Sequence, residues 1–314
     1  MAVLDRLALI VLNYNSYDDT VFCVDRLISF DALYHIVIVD NASPDGSGQM
    51  LADRYADQVV VGDVDSSGTL SKTVDVICSE QNGGYGAGNN IGIRYADEQY
   101  DIDTVAIVNP DVEIQDISTI VRLYDVINSE AVYAVAGGRI VSGNYDEQCN
   151  INYSCWPVPT YREVIGKQSL FSRRYDRPFE AEEITENIYE VGCVAGCFFL
   201  AKLSCFKEIG LFDENIFMYN EEDLLGFKCV LKGYKTVLVM DAIYHHNHKP
   251  SEQEKKSFVQ KIHSTEASYK SAGYILREAY SGRGLFGLLI VEVFNRFYLA
   301  CCFIKTCVLE KKAE

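Results

Sequence analysis

What most constrains this chain is a series of short apolar runs, each followed by a polar loop and then by a segment of helical period. Leu7–Leu12 is apolar without a break, the signature of a parallel strand covered on both faces. Between Asp18 and Phe30, Val21, Val24, Leu27 and Ile28 recur at helical spacing. His35–Val39, Val74–Cys78 and Thr104–Val108 are further strand-like runs. The loop after the second run reads "DNASPDGSGQM", with Asp45 or Ser47 as the N-cap of a following helix. The third leads through "NGGYGAGNNIGIRYA" into another helix. Strands alternating with helices in this way predict an α/β fold with a doubly wound, mostly parallel sheet flanked by helices.

The rest of the chain is less regular. Residues 62–73 read as an inserted hairpin or surface loop. Residues 144–190 carry Trp156, Pro157 and Pro159 without a clean period and read as a long excursion over the sheet. Glu190–Lys202 reads as a strand, "NEEDLLGFKCVLKGY" as a helix closed by Gly233, and "TVLVMDAIYHH" as a late strand. Beyond Pro250 the pattern turns helical. The expected division is one α/β domain over 1–251 and a C-terminal helical extension over 252–314.

Charge and cysteine content exclude some classes. Lys and Arg number 28 against 45 Asp and Glu, a net charge of −17, which repels a nucleic acid backbone. A small phosphorylated ligand stays compatible, because a bound cation overrides net charge locally. The 11 cysteines show no CxxC pair and read as reduced, buried thiols of a cytoplasmic protein. The apolar N-terminus is too short and too broken for a signal peptide and reads as the first strand.

Four polar segments fall where strands end: "YNS" at 14–16, "DNASPDGS" at 40–47, "NGGYGAGNN" at 82–90 and "NPD" at 109–111. In an open parallel sheet, the crevice beyond the carboxyl ends of the strands is where ligands bind. "GGYGAG" invites comparison with a dinucleotide-binding loop and hence an oxidoreductase. Gly84 and Gly86 fit that spacing, but Asn89 occupies the third glycine position and the segment follows the third strand. Asn109-Pro110-Asp111 is either a turn or a carboxylate placed for a metal ion at a strand end.

In order, "VLNYNS", "IVIVDNASPDGS", "NGGYGAGNNIG", "VNPDV", "GLFDENIFMYNEED" and "HHNHKPS" resemble family 2 of the inverting glycosyltransferases, and especially its rhamnosyltransferase-like branch, from about residue 7 to residue 251. The resemblance implies a GT-A fold, a nucleotide-diphosphate sugar donor and Mg²⁺ or Mn²⁺. The expected acceptor is a glycan, a lipid-linked intermediate of bacterial surface polysaccharide synthesis. Carried over by position, it places Asp40 at the donor's base with Asn15 and Asn41 beside it. Gly84, Gly86 and Gly88 then let backbone approach the nucleotide, with Asn89 and Asn109 near it. Asp111 becomes the hard oxygen ligand for the cation, and His246 a second ligand, with His245 and His248 close enough to compete. The family's H-x-x-G-x-S pattern runs from His246 to Ser251, with Lys249 in place of the glycine.

The family's "ED" and its downstream Asp fall on Glu221, Glu222 and Leu224. Glu222 is thereby the general base and Glu221 its partner, while Asp223 stands one place off register. That departure keeps a catalytically silent nucleotide-sugar-binding protein in view as the alternative. The apolar tail Gly284–Leu309, interrupted by Glu292, Asn295, Arg296 and Lys305, reads as a helix on a membrane surface, against a partner or oligomer, or in the core.

Overall fold

A strand such as Leu7–Leu12 escapes water on both faces only where helices cover both sides of its sheet, and the computed structural model has that arrangement. It describes residues 2–56, 73–141, 151–169, 181–247 and 258–310. The strands are β1 (Ala2–Asn13), β2 (Ala32–Asp40), β3 (Thr73–Cys78), β4 (Thr104–Val108), β5 (Val112–Glu113), β6 (Tyr133–Val141), β7 (Cys155–Trp156), β8 (Glu182–Thr185), β9 (Ile188–Val191), β10 (Cys193–Val194), β11 (Phe198–Lys202) and β12 (Lys235–His246). The helices are α1 (Tyr17–Ser29), α2 (Ser47–Tyr55), α3 (Tyr85–Gln99), α4 (Ile117–Ser129), α5 (Tyr161–Lys167), α6 (Leu203–Glu208), α7 (Glu221–Leu231), α8 (Phe258–Glu278) and α9 (Leu285–Glu310).

The main sheet runs β3-β2-β1-β4-β11-β6-β12-β9-β8, with β5 added to β12. β3, β2, β1 and β4 are parallel, and β11 enters antiparallel between β4 and β6. The expected α/β architecture is present as a mixed sheet. The chain winds outward from β1 to β3, then crosses back to β4 on the other side of β1. This reversal opens a crevice at the strand ends. Register aligns those ends: Asn13 lies opposite Asp40, and Val11 opposite Val108.

Two apolar layers sandwich the sheet. Val24 and Leu27 of α1, Leu51 of α2 and Ile120 and Leu123 of α4 pack on one face. Ile93 and Ala96 of α3, Phe206 of α6 and Leu225 of α7 pack on the other. Each fully buried aliphatic side chain contributes about 1.5–3 kcal/mol. α3 approaches especially closely. Gly88 and Gly92 are spaced by four and share one helical face. A Cβ on Gly88 would stand 2.5 Å from Leu12 Cδ1, and one on Gly92 2.5 Å from Ile10 Cγ2.

The irregular 144–190 segment is more ordered than its sequence pattern. Its described parts hold β7, α5 and the β8–β9 hairpin, which extends the main sheet. α5 opens with a capping box in which Thr160 and Glu163 bond reciprocally. The strand expected over Glu190–Lys202 is broken into β9, β10 and β11, and β10 leaves the main sheet to pair with β7. The hairpin expected at 62–73 lies, but for Thr73, outside the described residues, as do His248, Lys249 and Ser251.

The chain divides into two compact units. One holds the sheet and its helices. The other gathers residues 159–177, 218–220 and 255–314, so α5 belongs with the C-terminal helices, and residues 252–254 belong with the sheet. Within this second unit, the Gln168 carbonyl accepts from Tyr269 Oη at 2.8 Å and from Asn295 Nδ2 at 2.6 Å.

Candidate active site

At the ends of β1 and β2 stands a buried polar cluster centred on Asn13, which has no exposed surface. Its amide nitrogen donates to Asp40 Oδ1 at 2.6 Å and to Ser47 Oγ at 2.9 Å. Its carbonyl oxygen accepts from Thr20 Oγ1 at 2.9 Å. Asp40 also accepts from the Ser43 backbone N–H at 3.0 Å. The cluster thus holds the 41–47 loop against β1. Asp40 is only 4% exposed, so its carboxylate serves this loop first and has only remaining lone pairs for a ligand. Asn15 differs: it is exposed, with φ at 52°, and its backbone N–H donates to Ser43 Oγ.

Asn41 ties this loop to the glycine segment. Its two amide hydrogens go to Asn82 Oδ1 and the Gly84 carbonyl, both at 3.0 Å, and its oxygen accepts from Gly83 N–H. The glycines expected to admit a nucleotide have no room for a side chain. Gly84 has φ at 91°, and a Cβ there would lie 2.1 Å from the Phe217 carbonyl oxygen, while one on Gly86 would lie 2.9 Å from Phe212 Cβ. Asn89 is fully buried and donates to the Tyr85 carbonyl, with its Oδ1 enclosed without a hydrogen-bond partner. Small residues serve helix packing here.

Asn109-Pro110-Asp111 closes β4 as a turn, with Val112 N–H donating to the Asn109 carbonyl at 3.0 Å. The turn leads into β5, whose pairing with β12 sets Val112 opposite His246. The turn thereby brings Asp111 beside His246. His246 Nε2 stands 3.2 Å from Asp111 Oδ2, and both side chains are about one-quarter exposed, 26% and 29%. Burial lowers the imidazole's proton affinity, but hydrogen bonds to Asp111 and Cys197 outweigh it and push the pKa up to about 10. Among the described residues no third His, Cys, Asp or Glu joins the pair in a metal-binding group. One carboxylate and one imidazole would suit Mg²⁺ or Mn²⁺ as a half-site once the incoming cation displaces the proton that Asp111 holds on the ring, with ligand phosphates and water supplying the other oxygens.

The second chemical group is the first turn of α7. Glu221 and Asp223 are buried, at 7% and 3% exposure, and Asp223 Oδ1 accepts from Trp156 Nε1 at 2.7 Å. Glu222 between them is only half-buried, and its Oε1 accepts from the Gly196 N–H at 3.2 Å. Leu224, at the family's third acid position, faces the core at 3% exposure. Tyr85 donates to the Gly196 carbonyl at 2.5 Å. Burial first, then the nearby Glu222 and Glu221 charges, raise its pKa well above the ordinary value.

The 195–197 turn joins the two groups. Gly196 holds Glu222, while the next residue's carbonyl accepts from Asn109 N–H at 2.8 Å. Cys197 Sγ lies 3.3 Å from Tyr244 Oη and bonds to His246. Asn13, Ser43, Trp156, Gly196 and Cys197 are the site residues that sequence reasoning missed. Asn13 alone carries a local signal, an amide at the end of an apolar run; the others are recruited by long-range contacts.

Comparison with known proteins bears on the family and the fold. The family description "Glycosyl transferase family 2" matches residues 8–210. A low-salt glycan biosynthesis hexosyltransferase, Agl10 of Haloferax volcanii, is 27% identical over 222 residues, 70% of this chain. The chain spans 60% of that relative's length. Among solved structures, GalNAc-T7 with UDP, GalNAc and Mn²⁺ superposes with a TM-score of 0.55 at 17% identity, over 77% of this chain and 44% of that one. Staphylococcus aureus TarS 1-349 with UDP-GlcNAc superposes with a TM-score of 0.50 at 16% identity, over 87% of this chain and 67% of that one. Both likenesses concern the fold.

Proposed function

Because the chain belongs to glycosyl transferase family 2, we propose that it transfers a hexosyl or deoxyhexosyl group, rhamnose among them, from a nucleoside diphosphate sugar to a glycan acceptor, with inversion. The observation that carries this reading is the accessibility of Glu222. Of the three acids on the first turn of α7 it is the one whose side chain is not buried, and the Gly196 N–H aims it. It would take the proton from an acceptor hydroxyl as that oxygen attacks the anomeric carbon. The bond to the nucleoside diphosphate breaks on the opposite face. Glu221 supports the turn, and Asp223 is occupied by Trp156.

Asp111 and His246 would hold the divalent cation together with the donor's diphosphate. When bound, Mg²⁺ or Mn²⁺ supplies charge neutralisation for the departing nucleotide. Asn15, exposed beside Ser43, and the Asp40 cluster shape the place of the base. Asn109 anchors the turn that carries Asp111. Support for a nucleotide sugar comes from the UDP and UDP-GlcNAc in the structural neighbours, and support for hexosyl transfer from the archaeal relative. A lipid-linked glycan at the inner face of the cell membrane is the acceptor we propose. No described helix is long and apolar enough to cross a membrane.

Thermal-shift titration against UDP, dTDP and GDP sugars, with Mn²⁺ and with chelator, tests the reading. At least one donor should stabilise the protein only when Mn²⁺ is present, and Asp111→Ala should abolish that dependence. A protein that binds no nucleotide sugar under either condition would overturn it.

A further inference from the structure

We propose that the second unit is an anionic-membrane docking module, with the exposed face of α9 as its insertion surface. The inference concerns where the proposed transferase works, and it is tested by lipid binding without turnover, so the two readings fail separately.

The first observation is the apolar face. Phe286, Ile290, Val293 and Phe297 follow one another at spacings of four, three and four, and Leu289 and Phe294 flank them. All six are between 53% and 77% exposed. The opposite face is the one that packs, with Leu288 at 6% and Asn295 at 1% exposure. Between residues 285 and 304 the only charged side chains are Glu292 and Arg296. They pair with each other at 2.7 Å, so the one charged group bordering the exposed stripe is an ion pair. A helix in contact with water places polar side chains on its outer face; this one does the reverse.

The second observation is the distribution of charge. The segments that make up this unit contain 15 Lys and Arg against 7 Asp and Glu, leaving 13 against 38 for the sheet unit. A chain of net charge −17 thus concentrates a positive excess in the unit that bears the apolar stripe. Among the described cations, Lys270 and Arg277 on α8 and Arg283 just before α9 are exposed. An apolar helix face within a basic unit matches an interface of anionic lipid headgroups over acyl chains. A second copy of the chain fits less well, because two such units would bring like charges together.

Sedimentation of the full-length protein with vesicles tests this, using phosphatidylcholine alone and phosphatidylcholine with about 30% phosphatidylglycerol. Binding is expected only to the anionic vesicles, and about 0.5 M salt should release it. The triple substitution Phe286→Ser, Val293→Ser, Phe297→Ser should weaken binding at least tenfold, since these side chains touch lipid rather than core. Lys270→Glu with Arg277→Glu should also weaken it at least tenfold. Unchanged circular dichroism in both variants confirms that they fold. Equal binding to the two vesicle types overturns the proposal. So does an absence of vesicle binding together with a concentration-dependent dimer that the triple variant dissolves, which would assign the stripe to a second copy.

Discussion

At the scale of single residues, the decisive contrast is between neighbours on one helical turn. Glu222→Gln preserves shape and the acceptor oxygen for the Gly196 N–H but removes the proton-accepting charge. Turnover should fall by roughly 10²–10⁴-fold with donor affinity nearly unchanged, as steady-state kinetics and donor titration would show. If Glu221→Gln alone produced that loss, the base would be the buried neighbour. Gly196→Ala tests the aiming of the same carboxylate. A Cβ there would stand 2.3 Å from Glu222 Oε1, and the end of a flexible side chain moves at little cost. Stability should therefore change little. Turnover should drop by about 10²-fold, the penalty of an ångström-scale misplacement. The acids and Asp111 are legible in the sequence, because carboxylates after apolar runs stand out. Gly196 and Trp156 are not, since their value comes from Glu222 and Asp223, 26 and 67 positions away.

At the scale of elements, the glycine segment is where sequence and structure part. Spacing of four places Gly88 and Gly92 on one face of α3, against Leu12 and Ile10 of β1, while Gly84, just before the helix, meets the Phe217 backbone. The period was there to be read as packing, but glycines at a strand end invite a phosphate reading first. Gly92→Ala decides which view holds. Helix propensity favours alanine by about 1 kcal/mol. Against it, the new Cβ meets Ile10 Cγ2 at 2.5 Å and Val39 Cγ2 at 2.9 Å. Both are rigid β-branched chains in the sheet centre, and overpacking there costs about 1–3 kcal/mol. Urea unfolding should show a net loss of about 1–2 kcal/mol, with donor affinity unaltered; a stabilised variant would mean that α3 has room to move. Other elements divide along the same line. β1, β2 and β4 are legible because burial on both faces leaves uninterrupted apolar runs. β8 is not, because all four of its residues are exposed and an edge strand needs no apolar pattern. α5 carries its capping box openly as Thr160 and Glu163 but is too short for a helical period to register.

At the scale of the whole molecule, charge is the organising quantity. With 38 acidic residues against 13 basic ones, the sheet unit repels a free nucleotide diphosphate and attracts divalent cations. As the proposed cation site, the Asp111–His246 pair would supply only half a coordination shell, so the field of the surrounding acids should add measurably to cation affinity. That contribution is long-ranged and therefore screenable, unlike the direct bond to Asp111. Raising ionic strength from about 0.05 to about 0.5 M shortens the screening length from above 10 Å to below 5 Å. The Mn²⁺ concentration needed for half-maximal donor binding should then rise several-fold, while the donor affinity at saturating Mn²⁺ should hold or improve as repulsion of the diphosphate is screened. Calorimetric titration of Mn²⁺ at the two salt concentrations separates these effects. Mn²⁺ affinity indifferent to salt would mean that the cation answers to its immediate ligands alone and that the acidic excess has no part in loading the site.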